Sequence, residues 1–234
     1  MITKINSILS LSYVDKEGKK YNSNDILMKF INEDNYYVTF TEINKIGISP
    51  RTKYNTPLGI YCYPIKEAYN YYFIKENGKE FYNTFIDSLP TMFKSNYFTI
   101  FTVNDDNIIR SNYNNNNLKE DIIKLSKEYN LKEMNVSILR NVHPVRNLLH
   151  VVGMISYNLT KDKINKNYSR VAVKMNYILN NILGYSGIVD EGLSLIHDAE
   201  PCQAVFFNTS DIEVIGTFDN SILTKKDYKE LKEI

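Results

Sequence analysis

Short runs of β-branched and aromatic residues alternate along this chain with segments of helical periodicity, and this alternation limits the fold more than any other feature. Residue types of this kind, bounded by turn-forming residues, are typical of β-strands. The runs are YYVTF (Tyr36–Phe40), LGIYCYP (Leu58–Pro64), YFTIFTV (Tyr97–Val103), SGIVD, QAVFF and IEVIGTF. Together with the helical segments between them, they predict an α+β fold.

Several segments between these runs have helical character. Directly after the second run, apolar residues recur at helical spacing, so a helix is expected to follow that strand. Asn24 is expected to cap a short helix, Asp25–Ile31, and Leu118–Tyr129 forms another predicted helix. The apolar segment 146–159 fits either a helix or a buried strand, and Lys225–Ile234 fits a surface helix.

The longest helical pattern runs from Tyr168 to Leu183. Its apolar residues follow a 4,3,4 spacing that places them on one helix face. They are Val171, Met175, Ile178 and Ile182. Gly184 follows at the position where a left-handed residue commonly ends a helix. The four apolar side chains are therefore predicted to be buried together.

Composition sets the size of the fold and argues against some partners. With 234 residues, of which 43% are hydrophobic, the chain can bury a core of its own and is most simply one domain with elaborations, or one and a half domains. A formal charge of +1 gives no general attraction to nucleic acid or membrane. No apolar run approaches the ~20 residues that span a bilayer, so no membrane partner is expected. The Asn-rich stretch Ser111–Asn117 is predicted to be an exposed loop.

Common signatures of catalytic and metal sites are absent. The sequence contains no GxGxxG, GxxxxGK[ST], HExxH or GxSxG motif. Cys62 and Cys202 lie inside apolar runs without the spacing of metal ligands, so we expect two buried thiols and no metal site. His143 and His150 have no spaced partner, and structural roles are expected for both.

Functional groups are most concentrated near the start of the QAVFF run. His197 lies between the acidic turn at Asp190 and Glu191 and the following Glu200, and Gln203 comes three residues later. A histidine close to several carboxylates is a combination found in active sites, although a solvated polar loop would have the same composition.

Two longer stretches of the chain resemble the ADP-ribosyltransferase superfamily. YVTFTEINKIGISPRTKYNTPLGIYCYPIKEAYNYY (37–72) is similar to the opening half of that family's core, in which a strand carrying His or Arg precedes a GIYF-like strand and a helix. ILGYSGIVDEGLSLIHDAEPCQAVFFNTSDIEVI (182–215) resembles the closing half, in which a GYDGII-type strand, a loop and a strand that opens with the catalytic Glu follow one another. The overall resemblance is to the ADP-ribosyltransferase-like proteins of bacteriophages and mobile elements.

The resemblance implies a fold and a set of binding residues. It implies an α+β domain over residues 1–234 with a split antiparallel or mixed sheet, a central cleft and helices packed outside. Core pieces would lie at about 36–72 and 168–218, with an elaboration of unknown role at about 75–160. NAD would be the substrate, and the residues at the positions of the family's nicotinamide and ribose contacts are Thr39, Thr41, Tyr61, Tyr69 and Tyr72.

Gln203 stands where the family has its catalytic Glu. An amide keeps the hydrogen bond to a ribose hydroxyl but supplies neither the negative charge nor a general base. Glu200, Glu191 or Asp190 could return a carboxylate to the site, with His197 as a further candidate. The first strand also departs from the family pattern, since Thr39 replaces His or Arg.

Three functions follow from these observations. The first is NAD-dependent ADP-ribosylation of a host protein or nucleic acid, as a phage effector, toxin or anti-defence factor. The second is a transferase-like domain that has lost its chemistry and serves as a binding or virion-associated module. The third is a nucleic-acid modification or nuclease step that uses His197 with Glu200. The first two place the protein in the host cytoplasm or on the virion, and the sequence leaves the target and the oligomeric state open.

Overall fold

The computed structural model describes residues 3–5, 12–14, 17–42, 45–48, 56–75, 83–90, 96–104, 107–111, 115–131, 143–160, 168–197 and 200–219. Its elements, in chain order, are β1 (Thr3–Ile5), β2 (Ser12–Val14), β3 (Lys20–Tyr21), α1 (Ser23–Met28), β4 (Tyr36–Thr41), β5 (Ile60–Pro64), α2 (Ile65–Ala68, continued by the π-helical Tyr69–Lys75), α3 (Phe85–Ser88), β6 (Tyr97–Val103), β7 (Ile108–Arg110), α4 (Asn115–Glu128), α5 (Pro144–Thr160), α6 (Tyr168–Asn176, continued by the π-helical Tyr177–Ile182), β8 (Gly187–Val189), β9 (Ala204–Phe206) and β10 (Ile212–Asp219). The α+β class is confirmed, with open sheet structure that mixes parallel and antiparallel pairing. The predicted helix at Lys225–Ile234 lies outside the described residues.

The chain divides into two compact units. The first comprises residues 1–46, 62–103 and 212–234, and the second comprises residues 47–61 and 104–211. Compactness alone does not show that a unit folds independently. The interpretation of the chain as one domain with an elaboration therefore stays a prediction.

The first unit contains the antiparallel strands β10, β6, β4 and the end of β5, in that order. The buried rings of Tyr37 and Phe101 are register partners on β4 and β6 and stack with their centroids 5.7 Å apart. Phe98 and Phe218 stack in the same way, 5.1 Å apart. Cross-strand pairs of this kind explain why the aromatic runs form strands. The predicted strands at Tyr36–Phe40 and Tyr97–Val103 are confirmed. Strands β1, β2 and β3 form a separate small sheet.

The cap of helix α1 differs from the sequence prediction. The side chain of Asn22 accepts a hydrogen bond from the Asp25 backbone N–H at 2.8 Å, and the Asp25 carboxylate accepts one from the Asn22 N–H at 3.1 Å. This reciprocal capping box needs an acidic residue three positions after the cap, and Asn22 has one. The predicted cap at Asn24 is therefore wrong. Asn24 instead accepts a hydrogen bond from the Ile86 backbone N–H.

The second unit contains the start of β5 followed by β9, β8 and β7. Strand β9 is antiparallel to β8, and β7 is parallel to β8. Gly59 lies just before β5, where a Cβ atom would come within 2.5 Å of the Val205 side chain and 2.6 Å of the Phe206 carbonyl oxygen. Glycine is required at this close approach. The predicted strand at Leu58–Pro64 is thus confirmed from Ile60 onward.

Helices α4, α5 and α6 pack in sequence and share one apolar core with the strands of the second unit. The segment 146–159, which was open between helix and strand, lies within α5. Its buried residues recur at three- and four-residue spacing, and its length exceeds that of an ordinary strand. The predicted Asn-rich loop is wrong in part, because Asn115 already begins α4 and Ser111 is buried.

The long helical pattern is confirmed in its buried face. Val171, Met175 and Ile178 are all buried in the shared core, and Ile182 is partly buried against it. The helix ends as predicted, since Gly184 has φ +79°. Its last residues adopt the wider π-helical form, which the apolar spacing did not indicate.

Candidate functional site

One edge of the second unit's sheet gathers the residues that the sequence singled out near Gln203. The parallel strands β7 and β8 both end at this edge, and the antiparallel β9 begins there. Ser111 therefore follows β7, Asp190 follows β8, and Gln203 precedes β9 at the same place. We call this set the β7–β8–β9 edge. Its members are Arg110, Ser111, Asp190, Glu191, Glu200 and Gln203.

Gln203 and Glu200 form a hydrogen-bonded pair at this edge. The amide Nε2 of Gln203 donates to Oε2 of Glu200 across 2.5 Å. Gln203 is 1% exposed, whereas Glu200 is half-buried. In an extended chain the two side chains would point to opposite faces. The chain between them is not extended, because Cys202 has φ +63°, an uncommon conformation for a residue other than glycine. The turn brings the carboxylate to the amide.

The amide oxygen of Gln203 is buried and has no hydrogen-bond partner among the described residues. Leaving a buried acceptor unpaired costs about 1–3 kcal/mol. Side chains alternate along β9, so Gln203 shares its face with Val205 and Phe207, which belong to the apolar core. A hydrogen-bond donor from a bound molecule could satisfy this oxygen.

Asp190 is buried and holds a loop. Its Oδ1 accepts hydrogen bonds from the backbone N–H groups of Gly192 at 3.2 Å and Leu193 at 2.8 Å, and its Oδ2 accepts one from Leu195. Burial raises the pKa of the Asp190 carboxyl, and the N–H donors of Leu193, Leu195, Gly192 and Ile196 oppose that shift. Both carboxylate oxygens are engaged within the protein, so this side chain shapes the loop.

Glu191 turns toward the end of β7. Its Oε2 accepts a hydrogen bond from the Ser111 hydroxyl at 2.9 Å, and its Oε1 lies 3.4 Å from the Arg110 guanidinium. Arg146, in the first turn of α5, donates to the carbonyl of Ser194, which lies in the loop that follows β8. The sequence interpretation missed all three of these partners. The pattern of β7 is too short to predict a strand, and nothing local indicates its parallel pairing with β8.

The three histidines lie in three different environments. The carbonyl of His197 accepts the backbone N–H of Glu200 at 3.2 Å, so His197 borders the Gln203–Glu200 pair through its main chain. His143 caps α5, where its Nδ1 accepts the Val145 N–H. His150 is exposed on α5.

The predicted nicotinamide-side residues are divided between the two units. Thr39 is buried on β4 and Thr41 is half-buried at its end, both in the first unit. Tyr69 and Tyr72, also in the first unit, pack against other rings: Tyr69 against Phe73 and Phe85, and Tyr72 against Tyr63 and Tyr71. Tyr61, in the second unit, is buried in the apolar core and donates its hydroxyl to the Pro57 carbonyl at 2.5 Å.

Three further features of the described residues concern the cysteines, possible metal ligands and the length of the helices. Cys62 and Cys202 are both buried, as predicted. Across the described ranges, no three or more His, Cys, Asp or Glu side chains group as metal ligands would. Nor does any helix in that part of the chain have the length and apolar character needed to cross a bilayer.

Comparison with known proteins gave no relative. No protein-family model matches the chain, and no curated protein and no solved structure matches it.

Proposed function

We propose that the protein is an NAD-dependent ADP-ribosyltransferase-like enzyme in which Glu200 supplies the carboxylate and Gln203 the amide of the reactive site. The observation that carries the proposal is the Gln203–Glu200 pair, with a hydrogen bond of 2.5 Å and a buried amide oxygen on Gln203 that has no partner within the described ranges. The sequence resemblance, which places Gln203 at the position of a catalytic Glu, supplies the substrate class.

The pair suits the charge changes of this reaction. The bond between C1′ of the ribose and the ring nitrogen of nicotinamide breaks, nicotinamide leaves as a neutral molecule, and positive charge develops on the ribose. A carboxylate fixed beside that charge stabilises the transition state. A nucleophile of the acceptor then forms the new bond to C1′, and its proton passes to Glu200 or to water. The amide oxygen of Gln203 would accept a hydrogen bond from a ribose hydroxyl.

The resemblance adds a split sheet with a central cleft to the proposal. It also gives Thr39, Thr41, Tyr61, Tyr69 and Tyr72 their roles on the nicotinamide side. Of the three tyrosines, Tyr69 keeps the most accessible ring, since Tyr61 and Tyr72 are buried. The acceptor would be a host protein or nucleic acid, met in the host cytoplasm or delivered with the virion.

A second candidate function is a binding module that has kept the fold and lost the chemistry. The observation that favours it is the neutral amide at the buried position, because the carboxylate of Glu200 lies nearer the surface, where water screens its charge. Such a module would hold its partner without releasing nicotinamide.

The two functions are separated by measuring NAD binding by calorimetry and nicotinamide release by chromatography. Glu200→Gln should reduce nicotinamide release by about a hundredfold, the usual loss when one transition-state contact of this kind is removed, with little change in NAD affinity. Glu120→Gln, an exposed substitution on α4, is the matched control and should change neither quantity. NAD binding without release would establish the binding module. Absence of NAD binding in the unaltered protein would overturn the NAD-dependent proposal.

A further inference from the structure

We infer that Asp190 is the positioning residue of the Gln203–Glu200 pair and that it acts on Gln203 through the β8–β9 ladder and on Glu200 through the loop 191–197. The inference deepens the proposed function, on which it rests for the catalytic meaning of the pair. The contacts from which it is argued all lie within the protein. Asp190 does not touch substrate in this scheme, since both of its carboxylate oxygens are already bonded to backbone N–H groups of the loop.

Asp190 is joined directly to Gln203. The backbone N–H of Asp190 donates to the carbonyl of Gln203 at 2.8 Å and extends the β8–β9 ladder by one residue pair. Both residues are almost completely buried. The main chain that carries the Gln203 amide is therefore tied to the main chain that carries the Asp190 carboxylate.

The carboxylate gives the loop its shape. Three backbone N–H groups, those of Gly192, Leu193 and Leu195, converge on it. The loop has no helical or strand hydrogen bonding of its own and includes two left-handed residues, Gly192 at φ +107° and Ser194 at φ +56°. A left-handed serine is disfavoured by itself, so surrounding bonds must hold it. The carboxylate supplies them from inside, and Arg146 supplies one from α5 by donating to the Ser194 carbonyl.

The end of this loop positions Glu200. The carbonyl of His197 accepts the Glu200 backbone N–H at 3.2 Å. Asp190 thus acts on both members of the pair, on Gln203 through the strand ladder and on Glu200 through the loop. A loop that lost its central acceptor would move His197, and Glu200 would leave the reach of the Gln203 amide.

Asp190→Asn tests this role with little change in volume. An Asn side chain has one acceptor oxygen and one NH₂ group, so it cannot accept hydrogen bonds at both positions. The side-chain NH₂ group would then face backbone N–H groups, which are also donors. Asp211→Asn is the matched control, because Asp211 is in a different loop of the same unit and its carboxylate accepts a hydrogen bond from the exposed Ser210 hydroxyl at 2.8 Å.

The readout is the side-chain amide signal of Gln203 in the nitrogen–proton NMR spectrum of the full chain without ligand. In the unaltered protein the chemical shifts of this NH₂ group should differ from those of solvent-exposed amides, and its protons should exchange slowly with water. In Asp190→Asn its exchange should accelerate by about tenfold, the factor that corresponds to the loss of one hydrogen bond. The Asn176 amide donates to the Leu58 and Phe207 carbonyls away from the loop, so its signal should stay unchanged.

An unchanged Gln203 signal in Asp190→Asn, with the variant folded, would overturn the inference. If that variant also loses the Asn176 signal, it has unfolded. The inference is then tested with Arg146→Met. This second change removes the loop's bond to α5 and should accelerate exchange of the Gln203 amide while Asn176 stays protected. No effect on Gln203 there would equally overturn the inference. Failure of NAD binding in the unaltered protein with these NMR results intact would overturn the proposed function alone.

Discussion

Gln203 donates the 2.5 Å hydrogen bond that holds Glu200, so a buried neutral amide is paired with a half-buried carboxylate at the start of β9. The two residues have side chains of nearly the same shape and differ in charge. The pair should therefore tolerate an exchange of its members better than a duplication of the carboxylate.

Gln203→Glu should lower the free energy of unfolding by about 1–3 kcal/mol near pH 8, since two carboxylates would meet in a partly dry site without a donor. One of them would take up a proton in the folded state, with its pKa raised above the unfolded value. Stability would then be present at acid pH and lost as pH rises through the raised pKa. Urea unfolding across this pH range measures the effect.

The matched control combines Glu200→Gln with Gln203→Glu. This exchange restores one donor and one carboxylate, and most of the stability near pH 8 should return. A double variant that stays as unstable as Gln203→Glu would show that the hydrogen bond contributes little.

Asn176 ties two strands together at their ends. Its Nδ2 donates to the Leu58 carbonyl at 2.8 Å and to the Phe207 carbonyl at 2.9 Å. Asn176→Ala leaves both acceptors without this donor and should lower stability by about 2 kcal/mol or more. Asn181→Ala, an exposed change five residues later, should have almost no effect. Equal midpoints of urea unfolding for the two variants would contradict the expectation.

Ile178 is fully buried in the core shared by α4, α5 and α6. Ile178→Ala should cost about 2–5 kcal/mol, because it removes buried apolar surface and leaves a cavity. Val173→Ala on the same helix is the control, since Val173 is 52% exposed. Thermal or urea unfolding measures both variants. The buried assignment of Ile178 fails if they have the same stability.

The two thiols should be chemically inert in the folded protein. Cys62 and Cys202 are buried, and burial raises the pKa of the Cys62 thiol well above its ordinary value. The thiolate is the reactive form, so little of it is present at Cys62 near pH 8, and burial shields Cys202 from the reagent. Neither thiol should react with an aromatic disulfide reagent until denaturant is added, when two equivalents should react. Fast reaction of either thiol under native conditions would show that its site opens readily.

Much of the candidate site could be located from the sequence, but its internal arrangement could not. Gln203 and Glu200 stood out because polar groups preceded an apolar strand, and the structure pairs them. The same reasoning offered Asp190 and Glu191 as equivalent carboxylates. The structure separates them, because Asp190 binds backbone N–H groups of its own loop and Glu191 binds Ser111, 80 residues away.

The sequence by itself determined the elements whose signal is local. The strands Tyr36–Thr41 and Tyr97–Val103 and the buried face of the helix at Val171, Met175 and Ile178 follow from side-chain periodicity, which is present in any short window of the chain. Only the tertiary structure decided that Cys202 adopts a left-handed turn and that β7 pairs in parallel with β8. Those two features place Glu200 against Gln203 and Arg110 beside Glu191, and they depend on the packing of residues far apart in the chain.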